Sequence, residues 1–252
     1  MINDRIRAFV SAVLPVEFRR WVRGQQRRYR LQRKPTCRVN LGDLRRLRPI
    51  SPVFGNDRGL PIDRYYIEKF LSADAKYIQK HVLEIGDNYY TIKFGSNRVT
   101  KSDVLNVVPR DQRTTIVADL TRADILPSDL FHCIILTQTL QMIYDFRSAL
   151  KHLYRILRHD GVLLLTTHGI SKIGRWEGID PWGEYWHFTT QSLKRLFQEF
   201  FPAENVTVKS YGNVLSTIAF LHGLAVEELS TKELDHHDPN YELLITVRAV
   251  KP

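Results

Sequence analysis

VLEIGDNYYTIKFG, residues 82–95, is the stretch on which the reading of this chain turns. An apolar run from Val82 to Ile85 ends on Gly86, the pattern of a strand that opens a nucleotide-binding α/β fold. A dinucleotide loop of the form G-x-G-x-x-G uses its glycines to let the backbone approach a pyrophosphate at a helix N-terminus. Here the second and third glycine positions hold Asn88 and Thr91, and no Gly-Lys-Ser/Thr follows to make a P-loop. Glu84 and Asp87 place two carboxylates in the turn, and carboxylates repel a polyphosphate.

A cationic ligand without phosphates meets neither objection. S-adenosylmethionine is such a ligand, with a sulfonium, an ammonium, a ribose and an adenine. Asn88 tolerates a left-handed turn better than most residues and can stand in for a glycine. Asp103 ends the expected second strand, seventeen residues after Gly86, near the spacing at which an acid accepts ribose hydroxyls. Asp119 ends the expected third strand, in IVADL, and can face the adenine edge. The plain alternative is a tight turn with incidental acids at strand ends.

Outward from this stretch the chain alternates. A helix is expected over Asp63–Lys80, then strands at 82–86, 98–103 and 114–118. FHCIILT (131–137) reads as a buried strand, followed by a helix with Phe146, Ala149, Leu150, Leu153, Ile156 and Leu157 on one stripe. Strand GVLLLTT (161–167), a long loop, and a helix with Leu193, Leu196, Phe197 and Phe200 come next. NVTVKSY, a helical insert over about 214–234 and YELLITVRAV close the chain. Strands alternating with helices predict an α/β, doubly wound, mostly parallel sheet.

Charge divides the chain differently. Residues 1–48 hold fourteen Lys and Arg against three acids, a balance of +11, while the remainder holds 23 basic and 24 acidic residues. The excess belongs to an arm with an apolar face at Ile6, Phe9, Val10, Val13 and Leu14. A second segment sets Phe18, Trp21, Val22 and Tyr29 among arginines. Such a stretch suits an anionic membrane surface, a polyanion or a protein partner. The near-neutral remainder argues against nucleic acid as its ligand. A linker is expected over LRPISPVFGNDRGLPID (47–63). Residues 1–48 thus form the arm and linker, and 49–252 the catalytic body, whose insert at 213–238 covers the acceptor side. No apolar run of about 18 residues and no cleaved leader is apparent. Cys37 and Cys133 are expected as free thiols in a reducing compartment, placing the protein in the cytoplasm or peripherally on the inner membrane face.

The order EIGD, SD, AD, then FHCIILTQTLQMIYD and LRHDGVLLLTT, resembles the class I methyltransferases. More narrowly, RGLPIDRYYIEKFL, VLEIGDNYYTIKFG, ILTQTLQMIYD, WGEYWHFT and YGNVLSTIAFLHGLAVEEL resemble bacterial methyltransferases encoded among sugar- and polysaccharide-building genes. The resemblance covers roughly residues 40–252. It implies a seven-stranded sheet with an antiparallel last strand and a cofactor loop at Glu84, Gly86, Asp87 and Asn88. It further implies contacts from Asp103, Asp119 and the segment of Thr137, Gln138 and Thr139. Two departures, His132 and the sequence RHDG at 158–161, are expected on connecting chain.

Acceptor chemistry is less settled by sequence. His168 follows strand 161–167 directly and can deprotonate a sugar hydroxyl. His222 lies in the insert on the stripe Leu215, Ile218, His222, Ala225 and Leu229, which suits either a base or a buried core histidine. DPWGEYWHFT (180–189) gathers aromatic rings with Asp180 and Glu184, which suits a carbohydrate or, equally, a hydrophobic plug. Tyr65 and Tyr66 can cap the cofactor or simply pack a helix. Adjacent ligands in Asp235–Asp238 diverge, so no metal is expected. The acceptor expected is a sugar or glycan, with a lipid-linked molecule, RNA or a non-catalytic scaffold role as alternatives.

Overall fold

The structure, a computed structural model, describes Glu17, Trp21 and residues 40–175 and 183–252. It divides into two compact units, Met1–Arg46 and Leu47–Pro252. In the first, Gly42–Leu44 form a single 3-10 turn, and Glu17 and Trp21 are helical. The other residues of the two expected arm helices lie outside the described residues.

In the second unit seven strands form one sheet: β1 (Lys80–Ile85), β2 (Val99–Asn106), β3 (Ile116–Val117), β4 (Phe131–Thr137), β5 (Leu157–His168), β6 (Val206–Tyr211) and β7 (Leu244–Val250). Their order is β3-β2-β1-β4-β5-β7-β6. All neighbours pair in parallel except β7, which runs antiparallel to both β5 and β6. The strand order reverses between β1 and β4. The turns that follow these two strands therefore face one crevice, where open α/β sheets bind ligands.

Alternation along the strands fills a core on each side. Leu83, Ile134, Leu136, Leu163, Leu165 and Val247 pack under α2 (Phe146–Ile156) and α3 (Thr190–Phe197). Val82, Cys133, Ile135, Val162 and Leu164 meet α1 (Ile62–Ala73) and α4 (Val214–His222) on the other side. Strands buried on both faces read as nearly continuous apolar runs, which is why FHCIILT and GVLLLTT were legible. The insert ends in α5 (Thr231–Asp235).

Several boundaries differ from expectation. α1 stops at Ala73, and a 3-10 turn at Ala75–Tyr77 precedes β1, so the expected helix to Lys80 is one element too long. Between β1 and β2 stand only a π-helical turn, Thr91–Gly95, and a 3-10 turn, Ser96–Arg98. His132 lies inside β4, and Arg158–Gly161 lie inside β5 rather than on connecting chain. There Asp160 takes φ +60° at an irregularity in the β4–β5 register, and its N–H donates to Lys251 O.

The expected linker is a strap. Ile50 and Ser51 both donate backbone N–H to His222 O, at 2.8 and 3.0 Å. Leu60 N–H is held by the Glu227 carboxylate at 3.0 Å, and Val226 N–H returns to Leu60 O at 2.8 Å. Proline and glycine content reads as flexibility, yet these backbone groups are satisfied by the insert.

Candidate cofactor and acceptor site

The turn after β1 is built around Gly86, whose φ of +96° an L side chain rarely adopts. A Cβ there would meet nothing within 4 Å, so the space over the turn is open. Asp87 Oδ1 accepts from Tyr89 N–H at 2.9 Å, and Asn88 O accepts from Ile92 N–H at 3.0 Å. Asn88 is not left-handed, so it does not substitute for glycine; Gly86 supplies the left-handed residue one step after the strand.

Glu84 was expected to face the cofactor, and the structure turns it inward. Its Oε1 accepts from Tyr90 N–H at 3.1 Å, and its Oε2 from both Thr91 N–H and Thr91 Oγ1 at 2.7 Å. The side chain is buried. Burial pushes its pKa up to about 7, against the lowering effect of these hydrogen bonds. Glu84 therefore shapes the turn from beneath by binding the N–H groups that a longer helix would leave open.

Asp103 does not end β2; the strand runs three residues further, to Asn106. His81 Nε2 lies 2.6 Å from Asp103 Oδ2, and Thr115 Oγ1 donates to Oδ1 at 2.9 Å. Burial would raise the Asp103 pKa, but the bonds from His81, Thr115 and Lys101 outweigh it and hold the pKa below the usual range. The strand-end position belongs to Asn106, which donates Nδ2–H to Gly86 O at 3.1 Å. Asp119 is exposed just past β3, where Oδ1 caps a 3-10 turn by accepting from Thr121 N–H and Oγ1, both at 2.8 Å. Tyr65 faces away from a cofactor role. Its hydroxyl donates to Asp235 Oδ1 at 2.8 Å, and burial, then Asp235, push its pKa up to about 12.

Across the crevice, β4 ends at Thr137 and Gln138 adopts φ +50°, a strained conformation of the kind stored at functional sites. Thr167 Oγ1 donates to Gln141 Oε1 at 2.8 Å, and Gln141 Nε2 donates to Gln138 Oε1 at 2.9 Å. This relay leaves Gln138 Nε2 without a partner. Gln141 O also accepts from Tyr185 and Trp186 N–H, at 2.9 and 3.2 Å, and so ties down the segment that carries Glu184.

Gln138 lines a cavity of about 150 Å³ with Asp63, Arg64, His168 and Glu184, closed on one side by Phe54 and Pro61 of the strap. Three buried polar atoms in this lining, Asp63 Oδ1, Gln138 Nε2 and His168 Nδ1, have no hydrogen-bond partner among the described residues. Such atoms are costly unless something satisfies them. Burial drives the His168 pKa down to about 4, while the Glu184 charge pulls it back. Glu184 Oε2 accepts from Gly174 N–H at 2.6 Å, and His187 Nε2 stands 3.3 Å from Oε1.

Of the expected acceptor residues, His168 and Glu184 come together here, whereas Asp180 and Trp182 lie outside the described residues. His222 ends α4 and is not in the cavity lining, and its expected stripe divides: Leu215 and Ile218 are exposed, whereas Ala225 is buried and Leu229 packs against the core. The Asp235–Asp238 run disperses, with Asp235 on Tyr65 and Lys69, His237 on Ser210, and Asp238 on Asn240. Asp63, Arg64 and Gln141 were missed, although the quoted stretches RGLPIDRYY and ILTQTLQ contain them.

S-adenosylmethionine fits these residues: clear space over Gly86, an exposed Asp119, and no cradle for phosphate beside Asp87. A family model described as a methyltransferase domain matches residues 64–200. A SAM-dependent methyltransferase from Archaeoglobus fulgidus superposes with a TM-score of 0.50 at 12% identity, over 75% of this chain and 99% of that one. Phosphoethanolamine N-methyltransferase 2 of Haemonchus contortus, in complex with S-adenosyl-L-methionine, gives a TM-score of 0.51 at 14% identity. That match covers 79% of this chain and 55% of the other. At these identities the two structures are alike in fold. No curated protein matches the chain.

Proposed function

Because the chain belongs to the methyltransferase-domain family and is an S-adenosylmethionine-dependent methyltransferase, we propose that it methylates a hydroxyl oxygen of a sugar or glycan intermediate. The observation that carries this reading is the polar lining of the cavity. A buried acceptor, His168 Nδ1, and a buried donor, Gln138 Nε2, stand unpartnered around it among the described residues, with the Glu184 carboxylate in the same lining. A hydroxyl oxygen donates its hydrogen and carries two lone pairs, one for the Gln138 N–H and one for the methyl group, whereas a neutral amine nitrogen has a single lone pair that the methyl group must take.

The backbone at Gly86, with Asp87, Asn88, Asp119, Thr137 and Gln138, would hold the cofactor, which supplies an electrophilic methyl group when bound. His168 is neutral near pH 7, and in its Nε2–H tautomer Nδ1 presents a lone pair. The acceptor hydroxyl donates to that lone pair while Gln138 Nε2–H donates to the same oxygen. As the oxygen takes the methyl group its proton becomes acidic, so a weak base suffices to receive it at Nδ1. The neighbouring Glu184 carboxylate offsets the imidazolium charge. Holding the reacting oxygen in line supplies much of the acceleration.

The arm's +11 balance supports contact with an anionic membrane surface, or with a glycan-assembly protein, near which the acceptor is made. Incubating the protein with methyl-labelled S-adenosylmethionine and fractionated glycans, lipids and RNA tests the reading. Label is expected in the glycan fraction. Label in lipid or RNA alone overturns the acceptor class, and cofactor binding with no label in any fraction favours a scaffold.

A further inference from the structure

At the start of α1, an acid and a base of adjacent sequence face the same cavity with their binding capacity largely unused. Asp63 is 6% exposed, and its Oδ1 has no hydrogen-bond partner among the described residues. Arg64 carries five N–H donors, yet among the described residues its guanidinium makes one hydrogen bond, from Nη1 to Tyr90 OH at 3.3 Å. Tyr90 belongs to the turn after Gly86, and the Asp87 charge of the same turn also acts on Arg64. The pair therefore sits where the cofactor turn meets the cavity. The two charges attract and the Asp63 carboxylate accepts from backbone N–H groups of its own turn, but among the described residues no hydrogen bond joins the two side chains. A buried carboxylate oxygen without a partner and a guanidinium with most of its donors unused are expensive unless a ligand completes them.

We propose that Asp63 and Arg64 clamp a zwitterionic α-amino acid group, the methionine end of the cofactor. Arg64 pairs with the carboxylate and Asp63 accepts from the ammonium. A planar guanidinium suits a carboxylate in two-point contact, and an ammonium supplies the donors that Asp63 Oδ1 lacks. One ligand group thus satisfies both residues, and the opposite charges reject a ligand carrying only one sign. This inference rests on the methyltransferase reading, and it concerns the residues beside the cofactor turn rather than the groups proposed to bind the acceptor. A carboxylate on the acceptor is the other source that Arg64 could serve.

Calorimetry with two ligands separates these cases. S-adenosylhomocysteine carries the amino acid end, and 5′-methylthioadenosine lacks it. Wild type should bind the first at least about 100-fold more tightly, from two charged contacts. Arg64→Gln and Asp63→Asn should each weaken S-adenosylhomocysteine by about 10–100-fold, and leave methylthioadenosine within about threefold. Arg64→Lys should recover part of the loss. Circular dichroism and ligand-free melting accompany each variant, and the methylthioadenosine affinity serves as an internal check that the site is intact. If S-adenosylhomocysteine loses less than about threefold in both variants, or if both ligands weaken alike, the clamp is wrong. A raised acceptor KM with unchanged discrimination between the two ligands assigns Arg64 to the acceptor and also overturns it. Equal affinity of wild type for both ligands refutes the clamp while leaving the methyltransferase reading intact. Binding of neither ligand refutes that reading and the clamp with it.

Discussion

Gln141 Nε2 lies 2.9 Å from Gln138 Oε1, and this contact decides which end of the Gln138 amide faces the cavity. With Oε1 engaged, Nε2 is left as an unpartnered donor on a residue that lines the cavity. Gln141 is itself oriented, because Thr167 Oγ1 donates to its Oε1. Gln141→Met, similar in volume, would leave Thr167 and Gln138 unpaired in a buried site. The expected loss is about 1–3 kcal/mol, or several degrees of melting temperature for a chain of this size. Thr167→Val should cost less, and the double variant should cost less than the two single losses added. Additive melting shifts would refute the relay.

His168 and Glu84 make stability respond to pH in opposite directions. The His168 pKa falls from 6.5 to about 4 on folding, so between these values the unfolded chain binds more protons and stability rises with pH. Glu84 rises from 4.5 to about 7, so its contribution is complete below pH 4.5 and is lost as pH climbs towards 7. Each window spans up to about 3 kcal/mol. Denaturant titrations from pH 4 to 7.5 should show His168→Gln losing the rising component and Glu84→Gln the falling one. Unchanged slopes in either variant would contradict the corresponding burial.

The two histidines should separate kinetically. In the proposed mechanism His168→Asn removes the proton acceptor, and kcat is expected to drop by about 10²–10⁴-fold with S-adenosylhomocysteine affinity retained. His222→Asn lies outside the cavity lining and should leave kcat within about threefold. The reverse ranking would move the acceptor to the insert.

Tyr65→Phe and Asp103→Asn probe the residues that the structure moves out of the cofactor site. Tyr65→Phe loses a surface bond to Asp235 and should alter S-adenosylhomocysteine affinity by less than about twofold. Asp103→Asn breaks the partly buried His81 contact and should lower the melting temperature without selectively weakening cofactor. A selective loss of cofactor affinity in either variant would restore the sequence-based assignment.

Removing residues 1–34 should leave a folded body that binds S-adenosylhomocysteine. The truncated protein should no longer sediment with anionic vesicles, and salt should weaken vesicle binding by the intact chain. Equal sedimentation of both proteins would exclude the arm as the membrane contact.

The legible parts of this chain were those where one physical demand dominates. FHCIILT and GVLLLTT are apolar because both faces of β4 and β5 are covered, and Gly86 is glycine because its backbone is left-handed. The acids were harder. A carboxylate near a strand end looks alike whether it turns towards ligand, as Asp119 can, or into the protein, as Glu84 and Asp103 do. What decides is a partner distant in sequence, such as Thr91 for Glu84, or His81 and Thr115 for Asp103. Gln138 was reached through resemblance, but its orientation depends on Thr167, 29 residues away. The strap was read as a linker because proline and glycine mark turns without revealing what satisfies the backbone between them.

That strap sets where the working enzyme begins along the chain. A protein started at Ile62 would keep all seven strands and the Gly86 turn. It would lack Phe54, Asn56 and Pro61 from one side of the cavity, and His222 O would lose both of its backbone donors. The residues that build the sheet and those that line the cavity thus begin at different points of the chain, separated by about a dozen residues that contribute no helix or strand.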